Sequence, residues 1–205
     1  SRTLVMAGNF NLTNTRELFN LLISLGQHPQ DLSDTVTVLE KFGHFLDDAN
    51  QKLFRQYKDA GHPNIEISQL IAQHLDLAQI ISEATKDFDG GYAMAGLIGH
   101  GDGFVARDPW GIRPAFYMDN DEVTVIASER PVIQTVMNVK AEDVHEIKPG
   151  YALIVRKNGT VQHIQVRQPE ERHSCSFERI YFSRGTDKDI YRERLKLGEL
   201  LSPQI

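Results

Sequence analysis

The sequence is short of cysteine, of long apolar runs and of basic residues. Cys175 is the single cysteine among 205 residues, so no internal disulfide can form, and a reducing cytoplasm is the predicted location. No apolar run approaches the ~20 residues that a membrane-spanning helix needs. Lysine and arginine number 22 against 28 acidic residues, and the net charge of −6 argues against nucleic acid as a main partner. We therefore expect neither a nucleic-acid partner nor a membrane partner.

The eight histidines also lack the spacing of a metal site. His44, His62, His74 and His100 are too dispersed to form a helical pair of ligands. We expect no metal ligands and no cofactor within this chain. A hydrophobic share of 40% and a charged share of 24% are ordinary for a globular protein. A chain of this length suits one domain with a sizeable core, with or without a short extension.

Helical patterns come first along the chain, and strand patterns follow. An apolar run at residues 3–7 predicts a buried strand, and Asn14 with Glu17 has the form of a capping box before a helix that Gly26 ends. Further helical spacing covers about residues 34–60, 67–75 and 76–81, and short strands are predicted at 92–98, 104–106, 115–118, 123–127, 151–156 and 161–166. Helices and strands that are segregated in this way favour an α+β fold with antiparallel pairing.

The most particular motif is a turn between two strand-like segments. It reads Ala106-Arg-Asp-Pro-Trp-Gly-Ile-Arg-Pro114 and is followed by Ala127-Ser-Glu129. Arg107 and Asp108 are able to pair, and Arg113 is able to brace a loop, so we interpret the motif as architectural. It resembles the signature of type-2 glutamine amidotransferases. Because the glutaminase domain of asparagine synthetase carries a similar run, the motif indicates the superfamily and not the product.

A second motif near the end of the chain is more specific. Cys175-Ser-Phe-Glu-Arg-Ile-Tyr-Phe-Ser-Arg184 resembles the signature of the amidophosphoribosyltransferase family, and residues 190–201 match that family's linking helix. Gly185-Thr186 departs from the usual Pro-Asp at the junction. The resemblance covers nearly the whole chain. It implies a glutamine amidotransferase domain at residues 1–186 and a linking helix at 187–205, leading toward an absent phosphoribosyltransferase domain.

The resemblance implies both a fold and an activity. The fold is that of an N-terminal nucleophile hydrolase, a four-layer αββα sandwich with antiparallel sheets. The activity releases ammonia from L-glutamine and forms 5-phosphoribosylamine from 5-phosphoribosyl-1-pyrophosphate in purine synthesis. Partners would be glutamine, the phosphoribosyltransferase domain and, in an oligomer, further copies. Magnesium would belong to the absent domain.

The family's nucleophile is an N-terminal cysteine, and this chain has none near its start. We therefore expect the fold to lack its first strands at the N-terminus, to expose unpaired strand edges and to be inactive by itself. Ser1 directly precedes the first strand, so we expect its hydroxyl to lie on the wrong element for catalysis. Cys175 is interpreted as a free thiol, because an iron–sulfur cluster needs four ligands and the others are missing.

Three residues carry the expected glutamine chemistry by resemblance. Asn9 would donate from its side chain, and Phe10 from its backbone N–H, to the oxyanion that forms during amide hydrolysis. Asp34 would bind the α-amino group of glutamine. Phe10 stands where the family has glycine, and Val36 where it has glutamate. The alternatives are an Asn-rich turn for Asn9 and a plain helix N-cap for Asp34.

Two other functions stay open from the sequence. One keeps glutamine hydrolysis but changes the acceptor, as in asparagine or glucosamine-6-phosphate synthesis. The other is a non-catalytic glutaminase-like module that packs against a synthase and regulates it. Phe10, Val36 and Gly185 are the departures that favour the second.

Overall fold

The computed structural model describes residues 3–204, so the expectation about Ser1 lies outside the described residues. Within this range the chain forms six α-helices and eight strands. In chain order they are β1 (Leu4–Leu12), α1 (Thr15–Ser24), α2 (Asp34–Asp59), α3 (Asn64–His74), α4 (Leu77–Thr85), β2 (Gly90–Ile98), β3 (Gly103–Arg107), β4 (Phe116–Asp119), β5 (Thr124–Ala127), α5 (Arg130–Met137), β6 (His145–Glu146), β7 (Tyr151–Val155), β8 (Val161–Gln165) and α6 (Lys188–Leu201).

The strands form two antiparallel sheets. The larger sheet has the order β1-β2-β3-β7-β8, and the smaller has the order β5-β4-β6. Among the strands of residues 3–204, β1 is therefore an outer strand that pairs with β2 alone, and β2 follows only after four helices. The connections after β2 are shorter, which agrees with the antiparallel pairing that the sequence predicts.

The layers follow from what each sheet face buries. Helices α1, α2 and α4 cover one face of the larger sheet and contribute Leu18, Phe42 and Ile81 to its core. The other face packs against the smaller sheet, where Leu153 meets Ala115. Helix α5 covers the far side of the smaller sheet with further apolar contacts. The predicted combination of helices with antiparallel sheets is confirmed, and this order of helix, sheet, sheet and helix agrees with a sandwich. No helix within residues 3–204 is long and apolar enough to cross a membrane.

The helix starts differ in how they are capped. The Asp76 side chain accepts from the Gln79 N–H at 3.0 Å and so caps α4. The predicted capping box at Asn14 is wrong. Its side chain makes no bond to α1 and instead contacts the segment before β2, donating to the Asp87 carbonyl at 2.8 Å. Asn14 thus connects the start of α1 to the start of β2.

Two elements differ from the sequence prediction. β1 runs on to Leu12, although the Asn-rich composition after Ala7 predicted a loop. Pairing with β2 continues in register along this whole stretch, so the tertiary partner overrides the local preference. Helix α5 was not predicted. It is only eight residues long and carries proline in its first turn. It ends at Met137 and is followed by Asn138, whose φ of 52° is left-handed.

The buried carboxylate of Asp102 connects the β2–β3 hairpin to the β7–β8 hairpin, at the end of the larger sheet that lies away from Asn9. Asp102 is 3% exposed and accepts from the Lys157 N–H and from Arg156, both at 2.8 Å. The Nε2 atom of His100 lies 3.0 Å from the same carboxylate. Burial by itself would raise the pKa of Asp102, but these donors outweigh it and lower the pKa. The group therefore remains ionised under ordinary conditions.

Replacement of Asp102 by asparagine should lower the free energy of unfolding at pH 7 by about 2–3 kcal/mol, because hydrogen bonds to a charged group are lost. The lowered pKa sets the pH dependence. The stabilisation is fully present above the unfolded-state pKa and is lost as the pH falls through the folded-state pKa, below about pH 4. Urea unfolding at pH 7 and pH 3 should show the difference from the unmodified protein shrinking in acid. The same change at the exposed Asp121 is the control; a difference that does not depend on pH would contradict this account.

Candidate functional site

The outer edge of β1 carries backbone donors that β2 does not use. The ladder bonds run from the Thr13 N–H to the Asp89 carbonyl at 2.8 Å and from the Gly99 N–H to the Thr3 carbonyl at 2.9 Å. In an antiparallel pair, successive residues face the partner strand and then face away from it. Odd-numbered residues of β1 therefore bond to β2, and even-numbered residues face outward. The N–H of Phe10 points to the outer edge.

Asp34 lies at the same edge. Its Oδ2 atom accepts from the Leu12 N–H at 2.8 Å, and its Oδ1 atom accepts from the Thr15 hydroxyl. Leu12 and Phe10 are two residues apart, which is about 7 Å along a strand. The structure thus brings the N–H of Phe10 and the carboxylate of Asp34 to one edge. Thr15 was not predicted from the sequence, since a threonine in the first turn of a helix gives no signal of its own.

Asn9 projects from the sheet face opposite to the helix layer. Its exposed side chain lines a groove of about 1110 Å³, floored by small residues such as Ala7, Ala93 and Ala95. The Phe10 side chain turns the other way and packs against the helix-side core. Asn9 and Phe10 therefore lie within the strand and not in a loop after it. Phe10 is not among the residues with positive φ, so its backbone conformation does not require the glycine that the family has there.

Asp34 is not among the residues that line the groove with Asn9. It occupies the first position of α2, and the N-cap is Ser33, whose hydroxyl accepts from the Val36 N–H at 3.3 Å. The reading of Asp34 as a plain N-cap is therefore wrong. Its role in binding an ammonium group, like the donor roles of Asn9 and Phe10, stays a prediction.

The Arg107–Pro114 turn is held by two fully buried side chains. Asp108 is 0% exposed, and its carboxylate accepts from four backbone N–H groups at 2.9–3.3 Å: those of Tyr92, Trp110, Ile112 and Arg113. Arg107 pairs with Glu146 at 2.8 Å and donates to the carbonyls of Gly111, Arg113 and Ile147, so the expected pairing between Arg107 and Asp108 is wrong. Gly111 has a φ of +64°, which suits glycine at this turn. The motif is architectural, as predicted.

Ion pairs attach the chain's last segment to the rim of the groove. They join residues of the turn, of β6 and of the start of α5 to residues 172–189: Arg113 to Glu178, Glu146 to Arg172, Glu129 to Arg184 and Arg130 to Asp189. A hydrogen bond from Arg130 lowers the pKa of Asp189, which keeps that pair charged. The two sequence motifs are thus in direct contact. Arg113 braces the segment that contains Glu178, as the sequence suggested.

Metal-binding groups are sparse in the described part of the chain. Residues 3–204 contain no cluster of three histidine, cysteine or acidic side chains that could hold a metal ion. Cys175 is a free, partly buried thiol that lines the groove. The buried ring of Tyr92, next to Asp108, has its pKa raised to about 12 by burial, so this phenol stays protonated.

Comparison with known proteins shows what the chain is similar to. An amidophosphoribosyltransferase from Pasteurella multocida is 30% identical over 213 residues, covering 98% of this chain. The chain is thus similar to amidophosphoribosyltransferases over nearly its whole length, as a glutaminase-like domain. The amidophosphoribosyltransferase of Haemophilus influenzae is 29% identical over 96% of the chain. The chain spans 38% and 37% of the length of these two relatives. No protein-family model matches the sequence.

Solved amidophosphoribosyltransferase structures share the fold. The glutamine phosphoribosylpyrophosphate amidotransferase of B. subtilis, complexed with ADP and GMP, superposes with a TM-score of 0.61 at 26% identity, covering 88% of this chain and 33% of that one. A structure described as the allosteric regulatory enzyme of purine biosynthesis gives a TM-score of 0.60 at 26% identity, with coverages of 88% and 32%. These similarities agree with the N-terminal nucleophile hydrolase-type fold.

Proposed function

We propose that this domain is the glutaminase part of an amidophosphoribosyltransferase. In that activity, glutamine and water give glutamate and ammonia. The ammonia then displaces pyrophosphate from 5-phosphoribosyl-1-pyrophosphate and gives 5-phosphoribosylamine for purine synthesis. The names of the relatives support this acceptor over asparagine or glucosamine-6-phosphate synthesis. The single cysteine is consistent with a cytoplasmic location.

The outer edge of β1 is the observation that carries the proposal. Attack on the side-chain amide of glutamine places negative charge on its oxygen, which fixed hydrogen-bond donors stabilise. The N–H of Phe10 faces outward at this edge, and the exposed amide of Asn9 lies one residue away. The two donors belong to a strand that pairs along its full length, so their positions are set before substrate arrives. This is the preorganisation that an oxyanion site requires.

The spacing along the edge also suits glutamine. From its α-nitrogen to its side-chain carbonyl carbon, an extended glutamine measures about 5 Å by standard bond lengths. Phe10 and Leu12 are about 7 Å apart, and Asp34 accepts from the N–H of Leu12. A glutamine whose amide oxygen lies at Phe10 would thus bring its ammonium group close to the Asp34 carboxylate. One charge at one end and donors at the other fix the direction of binding.

The remaining chemistry is expected from outside this site. By family resemblance, the nucleophile is an N-terminal cysteine, whose own amino group handles the proton. Cys175 carries no terminal amino group and therefore does not fill that role. By the same resemblance, magnesium is expected in the phosphoribosyltransferase domain.

The last segment offers a surface for that second domain. Exposed apolar side chains occur on the short π-helix Glu178–Phe182, on Phe177 just before it and along α6: Phe177, Ile180, Tyr181, Phe182, Tyr191, Leu195, Leu197, Leu200 and Leu201. Contiguous exposed apolar residues of this kind mark an interaction surface. The relatives are longer enzymes, so we assign the surface to contact with the phosphoribosyltransferase domain.

A direct test uses a full-length polypeptide that carries this domain and begins with cysteine. With glutamine labelled in its amide nitrogen, the label should appear in 5-phosphoribosylamine, and glutamate should form in equal amount. Formation of glutamate without label transfer to the phosphoribosyl acceptor would support another amidotransferase. If no glutamate forms although the protein is folded, the non-catalytic module is the better interpretation.

Replacement of Asp34 by alanine should raise KM for glutamine about tenfold or more, with a much smaller change in kcat. The reason is that an ammonium–carboxylate contact exists equally in the ground and transition states, so it contributes uniform binding. Steady-state kinetics with glutamine measure this, and activity with free ammonia should persist. The same change at the exposed Asp31, three residues earlier, is the matched control. Equal loss of glutamine-dependent and ammonia-dependent activity would show that Asp34 is only structural.

A further inference from the structure

Thr15 lies at the point where β1, α1 and α2 meet. Its hydroxyl is within hydrogen-bonding distance of the Asp34 Oδ1 atom and lies 3.1 Å from the Leu12 carbonyl. A hydroxyl has one proton to donate. An ionised carboxylate is the stronger acceptor of the two, because hydrogen bonds to charged groups are shorter and stronger than neutral ones. The Thr15 hydroxyl therefore donates its hydrogen bond to Asp34.

The carboxylate of Asp34 is consequently held from two sides. The Leu12 N–H fixes Oδ2, and the Thr15 hydroxyl fixes Oδ1. An aspartate in the first turn of a helix would otherwise sample several side-chain rotamers. With both oxygens restrained, the carboxylate stays beside the outer edge of β1, and its further lone pairs remain able to accept from a ligand.

We infer that Thr15 is a positioning residue of the glutamine site, which holds the Asp34 carboxylate at the β1 edge for the substrate's ammonium group. This inference rests on the proposed function. Thr15 acts through Asp34 and does not touch the reacting amide. Loss of its hydroxyl should therefore weaken glutamine binding and leave the chemical step nearly unchanged.

The experiment compares Thr15→Val with Thr15→Ser in the full-length enzyme. Valine preserves the shape and removes the hydroxyl, so KM for glutamine should rise about tenfold while kcat changes less than about twofold, the low end of what a hydrogen bond to a charged group contributes. Serine restores the hydroxyl and should restore KM. Activity with free ammonia should stay the same in both variants. Thermal unfolding of each variant shows whether the domain remains folded.

Thr13→Val is the matched control. Thr13 also donates its hydroxyl to an aspartate, Asp89, but that pair lies on the side of β1 that faces β2. Thr13→Val should therefore leave KM for glutamine unchanged. If Thr13→Val raises KM as much as Thr15→Val does, the effect reflects loosening of the strand end, and the inference is overturned.

A double variant separates this inference from the proposed function. In an Asp34→Ala background, Thr15→Val should add nothing to KM, because its effect passes through the missing carboxylate. A rise in KM with Asp34→Ala but not with Thr15→Val overturns the positioning role and leaves the proposed function in place. Additive effects of the two changes would also overturn it. If neither change alters KM, the assignment of Asp34 in the proposed function fails as well.

Discussion

Replacement of Asn9 by alanine should lower glutamine-dependent turnover by about 10²–10³, the scale expected when one oxyanion donor is removed. The side chain of Asn9 is exposed into the groove, one residue from the outward N–H of Phe10. Its hydrogen bond to the amide oxygen strengthens only as charge develops there. The loss should therefore appear in kcat, and KM for glutamine should change much less. Steady-state kinetics with glutamine and with free ammonia measure the two activities separately.

Asn11 provides the control within the same strand. It is exposed like Asn9 and projects from the same sheet face, but it lies beyond Phe10. Asn11→Ala should change glutamine turnover only slightly. If Asn9→Ala leaves turnover intact, or lowers ammonia-dependent activity to the same degree, Asn9 is only a strand residue and the oxyanion site lies elsewhere.

Replacement of Asp108 by alanine should lower the free energy of unfolding by about 3–5 kcal/mol, the cost of removing one partner from a buried charged network. Four backbone N–H groups that now bond to this carboxylate would be left without a partner. Since domains are commonly stable by only about 5–15 kcal/mol, the variant should be close to unfolding at 37 °C. Urea unfolding at 25 °C measures the change.

Asp108→Asn should destabilise the domain less than Asp108→Ala does. The asparagine amide keeps one oxygen that accepts hydrogen bonds, whereas its nitrogen cannot accept, so about half of the acceptors remain. Asp121→Ala removes an exposed aspartate in a turn and should change stability by less than about 0.5 kcal/mol. A similarly small change for Asp108→Ala would mean that the turn is held mainly by Arg107.

The spacing of apolar residues predicted the helices and strands that bury one continuous face. The long helix α2 was predicted at about residues 34–60 because apolar residues recur on one face, and it spans Asp34–Asp59. Strand β2 was predicted from an apolar run bounded by glycines. β1 was predicted too short, because Asn9 and Asn11 favour turns locally. The strand continues because β2 pairs with it, and no single-sequence pattern encodes that partner.

The candidate site was predicted only in part, because some of its contacts also depend on partners that no local sequence pattern encodes. Family resemblance pointed to Asn9, Phe10 and Asp34, and the structure brings Phe10 and Asp34 to one edge. Neither the support of Asp34 by Thr15 nor the pairing of Arg107 with Glu146 was predicted. Each joins residues that are distant along the chain, so it depends on the completed fold and leaves no local spacing in the sequence.

The position of β1 has a consequence for how the site assembles. Thr13 and Asp89 contact each other across 76 positions, whereas the strands that follow β2 are joined more locally. Closing a loop of that length costs about 4 kcal/mol of chain entropy before any contact is made. We expect β2, β3, β7 and β8 to pair early, and β1 to join only once α1–α4 have formed. As an outer strand, β1 should also exchange its amide hydrogens sooner than β3 in the native protein. The donors of Asn9 and Phe10 would then exist only in molecules whose helix layer is complete.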